Sequence, residues 1–140
     1  VLQDILSSLS LILIDSEKQT LTYSGAGDLP LLHYDAEAKQ VNIIKSAGLL
    51  LGLFAEGSYN ENEIILKDTD QLFIFTDGLI DFASESGSKS DYNLFAEKIN
   101  SWLKDNETAD FRQMKKDLFN IDGDKQVDDC SIINIYKVSI

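Results

Sequence analysis

Apolar and polar positions alternate in short runs along the first half of the chain, and polar clusters break the runs at hairpin length. Leu9–Asp15 and Gln19–Ser24 flank Ser16–Glu17–Lys18, a pattern that predicts a β-hairpin. Ser24–Gly25–Ala26–Gly27–Asp28 is a turn of small residues, suited to backbone that passes close to other atoms. Pro30 opens a third run, Leu31–Tyr34, and proline is tolerated at the first residue of a strand. Asp35–Lys39 turns into a fourth run, Gln40–Lys45. Ser46–Gly57 reads as a loop with a short strand around Leu49–Phe54, and Glu61–Leu66 alternates as a half-exposed strand does. Asp68–Thr69–Asp70 then leads into Gln71–Thr76, whose apolar core Leu72–Phe75 predicts a strand buried on both faces. Connections this short imply mostly antiparallel pairing.

The period changes after Gly78. Ser84–Asp91 is a polar loop, and Leu94, Phe95, Ile99, Trp102 and Leu103 recur at helical spacing across 93–104. A second helix is expected to be capped by Thr108 and to carry Phe111, Met114, Lys115 and Leu118. Asn120–Gln126 is polar, and Ser131–Val138 alternates as a closing strand. Strands, two helices in the C-terminal half and a returning strand predict one α+β layered domain over residues 1–140.

Composition narrows the functional classes. With 140 residues and 44% apolar content there is material for one core. Twelve basic against twenty-four acidic residues give a net charge of −12, which repels nucleic acid and anionic lipid and suits cations. No apolar window is long enough to span a membrane. The single cysteine, Cys130, excludes a disulfide framework and fits a reducing cytoplasm; its apolar strand context reads as core packing. The chain starts at Val1 and its one methionine is Met114, as expected of a piece cut from a longer protein.

Two acidic segments could carry chemistry. Asp77 is followed by Gly78 at the end of the buried run, where burial would demand a partner for the carboxylate. Aspartate is a standard hard-oxygen ligand for Mg²⁺ or Mn²⁺, but Asp-Gly is also a common hairpin turn, and both readings stay open on the residues alone. Asp128 and Asp129 stand side by side before the last strand, so they suit either a cation or a solvated loop. The run from Asp122 is no calcium loop, because its sixth residue is Val127 where glycine is required and its twelfth is Ile133 where glutamate is required. His33, the sole histidine, has no zinc or triad partners in sequence and is expected with its ring at the surface of a strand.

In order, Tyr23–Leu32, Leu51–Gly52–Leu53, Thr76–Asp77–Gly78–Leu79–Ile80–Asp81 and Asp128–Asp129–Cys130–Ser131 resemble the SpoIIE/RsbU-like branch of the metal-dependent protein phosphatases, relatives of protein phosphatase 2C. The family pattern is Asn-Ala-Gly-His-x-Pro, Leu-Gly, Thr-Asp-Gly-(Val/Leu)-x-Glu and Asp-Asp-(Ile/Leu)-Thr, and the likeness covers most of the chain. It implies a PP2C-like α-β-β-α sandwich, here partial, with two Mn²⁺ or Mg²⁺ ions at one end. Those ions activate a water that attacks phosphoserine or phosphothreonine. By the same resemblance Asp77 and Asp128 are the catalytic metal ligands, Asp129 is a supporting or additional ligand, and Gly78 turns the backbone beside the metals. The implied substrate is a phosphorylated anti-sigma-factor antagonist in bacterial signalling.

The departures bear on activity. Gly25–Ala26–Gly27–Asp28 replaces Asn-Ala-Gly-His, Asp81 replaces Glu, and Ser131 replaces Thr. The family's early Gly-Asp-x-x-Asp and Asp-x-x-Gly-His-Gly motifs, which supply the bridging ligands, do not occur. The chain therefore reads as the C-terminal portion of a phosphatase domain, inactive alone, with uncovered sheet edges open to self-association. The alternative is a catalytically inactive phosphatase-fold module that binds a regulatory partner.

Overall fold

The computed structural model describes residues 5–83, 92–106, 110–119 and 131–138. The first hairpin forms as its pattern predicts, from β1 (Leu9–Asp15) and β2 (Thr20–Ala26), and β5 (Glu61–Ile65) adds to β2 on the other side. The second hairpin, β3 (Leu31–Asp35) and β4 (Gln40–Ile44), joins β6 (Gln71–Phe75) and β7 (Ile132–Tyr136) in the order β4-β3-β6-β7. Every pairing between these strands is antiparallel, as the short connections require.

Side-chain alternation divides the core in two. Phe73 and Phe75 of β6, with Leu32 and Tyr34 of β3, face the helices; Leu72 and Ile74 face the other sheet, where they meet Leu21, Tyr23, Leu31 and Leu66. The apolar run at 72–75 is thus a central strand covered on both sides, as expected.

Three helices cover the outer face of the four-stranded sheet: α1 (Asp77–Ala83), α2 (Tyr92–Asp105) and α3 (Phe111–Phe119). Helix α2 buries Phe95, Ala96, Ile99, Trp102 and Leu103, with the Phe95 ring 4.7 Å from that of Phe75. Leu94, expected on this stripe, faces solvent, and Ala96 takes the inward place. The Asn100 side-chain oxygen accepts the Val41 N–H at 2.9 Å, so α2 occupies the open edge of β4. Trp102 Nε1–H donates to Asp117 at 2.9 Å and ties α2 to α3. The described cap of α3 is Asp110, whose carboxylate accepts the Arg112 N–H at 2.9 Å; Thr108 lies outside the described residues.

Two further expectations fail. No strand forms around Leu49–Phe54, where only the bridges Ser7–Leu51 and Ala26–Gly48 occur. Glycines dictate this path. A Cβ on Gly48 would lie 2.0 Å from the Gly25 carbonyl oxygen, and Gly52 has a φ of +88°. His33, expected at the surface, is instead buried at 7% exposure, because its position on β3 faces the second sheet beside Leu72. There it meets the buried carboxylate of Asp70 at 2.9 Å.

Candidate active site

The strand-to-helix junction at Thr76 builds the site. Strand β6 ends at Phe75, paired with Ile132, and α1 starts at Asp77, so Thr76 alone makes the change of direction. In an antiparallel ladder, hydrogen-bonded partners exchange two N–H···O=C bonds. Thr76 keeps one of them, donating its N–H to the Ser131 carbonyl at 3.0 Å. Its own carbonyl has turned into the helix and accepts the Leu79 N–H at 3.1 Å. The Thr76 hydroxyl fills the gap: Oγ1 accepts the Ser131 N–H at 2.8 Å and lies 3.4 Å from the Ser131 carbonyl oxygen. Five of the six atoms of this junction are backbone; the hydroxyl is the one contributed by residue type.

Asp77 occupies the first position of α1, where a carboxylate interacts favourably with the helix dipole. Its Oδ1 accepts the Gly78 N–H at 3.0 Å. Asp77 is exposed, so the expectation that burial forces a partner on it is wrong: the chain turns out into a helix and brings the carboxylate to the surface. The hairpin reading of Asp77–Gly78 also fails, since helix follows. Gly78 itself is buried at the turn. Asp128 and Asp129 lie outside the described residues, as do Cys130 and the polar segment 120–126. The first described residue after them is Ser131, the partner of Thr76.

The Tyr23–Leu32 segment reaches the same end of the four-stranded sheet. Leu32 pairs with Phe73, so β3 begins where β6 ends, and Gly27–Pro30 lies on the side of Asp77. The Tyr23 hydroxyl donates to the Leu29 carbonyl at 2.8 Å, and burial holds its pKa above the usual phenol value. Ser46 Oγ accepts the Gly25 N–H at 2.9 Å and donates to the Gly25 carbonyl at 2.7 Å, fixing the small-residue segment. Asp28, which stands where the family pattern has histidine, is exposed. Sequence reasoning singled out Thr76 only as part of a motif and gave Ser46 no role. A threonine between a buried strand and Asp-Gly was the one available signal for the junction.

The donor chemistry of Asp77, an accessible hard-oxygen carboxylate, fits Mg²⁺ or Mn²⁺. Among the described residues no three His, Cys, Asp or Glu side chains form a metal-binding group. A cleft of ≈ 480 Å³ lies at the far end of the sandwich, lined by Ile14, Leu66, Leu72, Asp68 and Lys137 among others. It lies at the opposite end of β6 from the Thr76–Asp77 junction, and the Lys137 ammonium there is engaged by Asp68 at 2.9 Å and Gln19 at 3.0 Å.

Two packed antiparallel sheets with a helical layer, and an aspartate at the β6–α1 junction, place the chain in the PP2C-like fold class. Solved structures bear this out. The phosphatase domain of the cell-fate determinant SpoIIE from Bacillus subtilis, presoaked in manganese, superposes with a TM-score of 0.68 at 17% identity, over 96% of this chain and 57% of that one. The RsbU and RsbW domains of a Mycobacterium tuberculosis protein give 0.66 at 17% identity, over 89% of this chain and 34% of that one. RsbX in complex with magnesium gives 0.59 at 17% identity, over 89% of this chain and 53% of that one. The model of the SpoIIE family, stage II sporulation protein E, matches residues 2–136, and the chain belongs to that family. No curated protein sequence matches it. The chain spans 57% of the length of the SpoIIE domain it resembles.

Proposed function

We propose that this chain is part of a metal-dependent phosphoserine/phosphothreonine protein phosphatase of bacterial signalling, acting on a phosphorylated anti-sigma-factor antagonist. The observation that carries the reading is the Thr76–Ser131 junction within a SpoIIE-family chain: it sets Asp77 next to the strand that Asp128 and Asp129 precede in sequence. In this reading Asp77 and Asp128 hold Mn²⁺ or Mg²⁺, and Asp129 ligates or orients. Divalent cations, when bound, supply Lewis acidity and a nucleophile generated from water. Asp77 holds its carboxylate outward on a helix anchored by buried Leu79 and Ile80, and Gly78 supplies the buried turn. Manganese in the SpoIIE structure and magnesium in the RsbX structure support the choice of cations. A two-metal centre needs more ligands than these three carboxylates, so this chain by itself is expected to be inactive. The single cysteine and acidic charge suit a cytoplasmic domain without nucleic-acid or membrane partners.

The test is Mn²⁺-dependent hydrolysis of p-nitrophenyl phosphate by the full-length protein beside its Asp77→Asn variant. A fall of roughly a hundredfold or more is expected on losing a ligand, since even supporting groups around metals are worth 10–100-fold. Equal rates would remove Asp77 from the chemistry. A second reading, an inactive phosphatase fold that binds a regulatory partner, is favoured by Asp28 in the place of the family's histidine. It predicts no metal-dependent turnover in the full-length protein at any Mn²⁺ concentration.

A further inference from the structure

We infer that the groove between the outer edge of β4 and helix α2 is a peptide-docking site, which takes an extended segment of a partner protein as a further strand of the four-stranded sheet. The inference goes beyond the phosphatase reading and does not depend on it. Its ground is the set of backbone groups that this edge leaves unused. Strand β4 ends the order β4-β3-β6-β7, so only β3 pairs with it. In an antiparallel ladder, residues that turn N–H and C=O toward the partner strand alternate with residues that turn them away. Val41 is of the second kind, because its N–H goes outward to the Asn100 side chain at 2.9 Å. Ile43, on the same side of the ladder, is therefore turned outward too. Asn100 meets only one of these outward groups. The Val41 carbonyl and both the N–H and the carbonyl of Ile43 have no hydrogen-bond partner among the described residues. Beside them lies a groove of ≈ 230 Å³, walled by Val41 and Ile43 on one side and by Asn93, Ala96, Glu97 and Asn100 on the other. The helix residues fall at i, i+3, i+4 and i+7, so they form one continuous face of α2. An extended backbone is the ligand whose N–H and C=O groups repeat at the spacing of Val41 and Ile43. Alternate side chains of such a peptide face α2. There the partly buried Ile43 and the buried Ala96 suit an apolar side chain. Glu97 is exposed and is the one charged residue among the described ones that line the groove. It selects a lysine or arginine on the peptide, in keeping with a net charge of −12 that already attracts cations.

The experiment follows the fluorescence anisotropy of the fluorescein-labelled peptide Thr-Val-Thr-Lys-Thr-Val-Thr, whose valines and lysine share one face of a strand, with the full-length protein. Saturable binding is expected, with a dissociation constant on the order of 100 μM. Methylating the backbone nitrogens of the valines and the lysine removes the donors on that edge of the peptide and should weaken binding about tenfold or more. Glutamate in place of the peptide lysine should weaken it about fivefold, and the Glu97→Lys variant should invert that preference. Ile43→Pro removes a donor at a position where an edge strand accepts proline, and should bind about tenfold more weakly. Thermal midpoints establish which variants fold. No saturation of the parent below about 1 mM would overturn the inference. Equal binding of the methylated peptide would overturn it too, since side chains would then adhere without strand pairing. A lysine preference unchanged in Glu97→Lys, or parental affinity in a folded Ile43→Pro, would put the peptide on another edge such as β1 or β7 and reject the groove. Should Ile43→Pro not fold, the methylated peptide and Glu97→Lys decide: loss with the first and inversion with the second support the groove, and failure of either overturns it.

Discussion

Asp70 is the buried carboxyl group on which one end of the sandwich depends. It is 1% exposed and accepts three hydrogen bonds: from His33 Nε2 at 2.9 Å, from the Ala36 N–H at 3.0 Å and from the Lys67 N–H at 3.0 Å. One side chain thereby ties β3, the turn after it and the turn before β6. Replacing Asp70 by alanine strands two backbone donors and an imidazole, at a cost of about 3–5 kcal/mol. Urea unfolding of the Asp70→Ala variant measures that loss, and a change below about 1 kcal/mol would mean that water satisfies the same donors. None of this was readable in the sequence. His33 and Asp70 are thirty-seven positions apart, and a lone histidine in an apolar run gives no sign of which face it takes. The exposure of Asp77 was missed for a related reason. Its environment depends on where the backbone goes after Thr76, and a side-chain pattern does not specify that.

At the scale of elements, the two hairpins that open the sheets use one turn. Asp15 Oδ1 accepts the Glu17 and Lys18 N–H groups at 3.0 and 2.9 Å, and Asp35 Oδ1 accepts those of Glu37 and Ala38 at 3.0 and 2.9 Å. Each loop ends on a non-glycine residue with positive φ, Gln19 at 57° and Lys39 at 52°. The backbone bonds lower the carboxyl pKa of both aspartates, that from Lys18 foremost for Asp15 and that from Ala38 foremost for Asp35. A depressed folded-state pKa stabilises above the unfolded value, and the contribution disappears as pH falls through the folded one. The Asp35→Ala variant should therefore melt a few degrees below the parent at pH 7, and the gap should close as pH drops below 3.8. Thermal scans of both proteins from pH 7 to pH 3 make the comparison, and a gap independent of pH would exclude the ionised carboxylate as the cause. Such hairpins were legible because their aspartates act within three residues. Helix α1 was not, because Thr76–Asp77–Gly78 between the apolar residues Leu72–Phe75 and Leu79–Ile80 reads equally well as a hairpin turn. The Leu49–Phe54 strand was wrongly expected because apolar content there outweighed the glycines that set the path.

For the whole molecule, the unbalanced feature is the outer face of the three-stranded sheet. Alternation along β1 turns Leu9, Leu11 and Leu13 away from the core, where they are 51%, 63% and 66% exposed, and Ile65 of β5 joins them at 69%. Strand β1 is also the edge of its sheet, and no charged residue occurs between Ile5 and Ile14. The uncharged edge strand lacks the features that normally block strand pairing, and the charges on its face, Glu61 and Glu63, lie two strands away on β5. The uncovered surface expected from sequence is therefore present, on the sheet that carries no helices among the described residues. The 140-residue chain is expected to self-associate through it, reversibly, at tens of micromolar. The Leu11→Lys variant, with a charge in the middle of the row, should sediment as a monomer at the same concentration. Salt identifies the force. Copies carrying a net charge of −12 repel one another, so an apolar contact should tighten between about 20 and 300 mM NaCl as screening shortens that repulsion. An interface held by ion pairs would loosen over the same range, and sedimentation equilibrium at the two salt concentrations distinguishes them. A parent chain that stays monomeric at both would show that the leucine row is too small to hold two acidic molecules together.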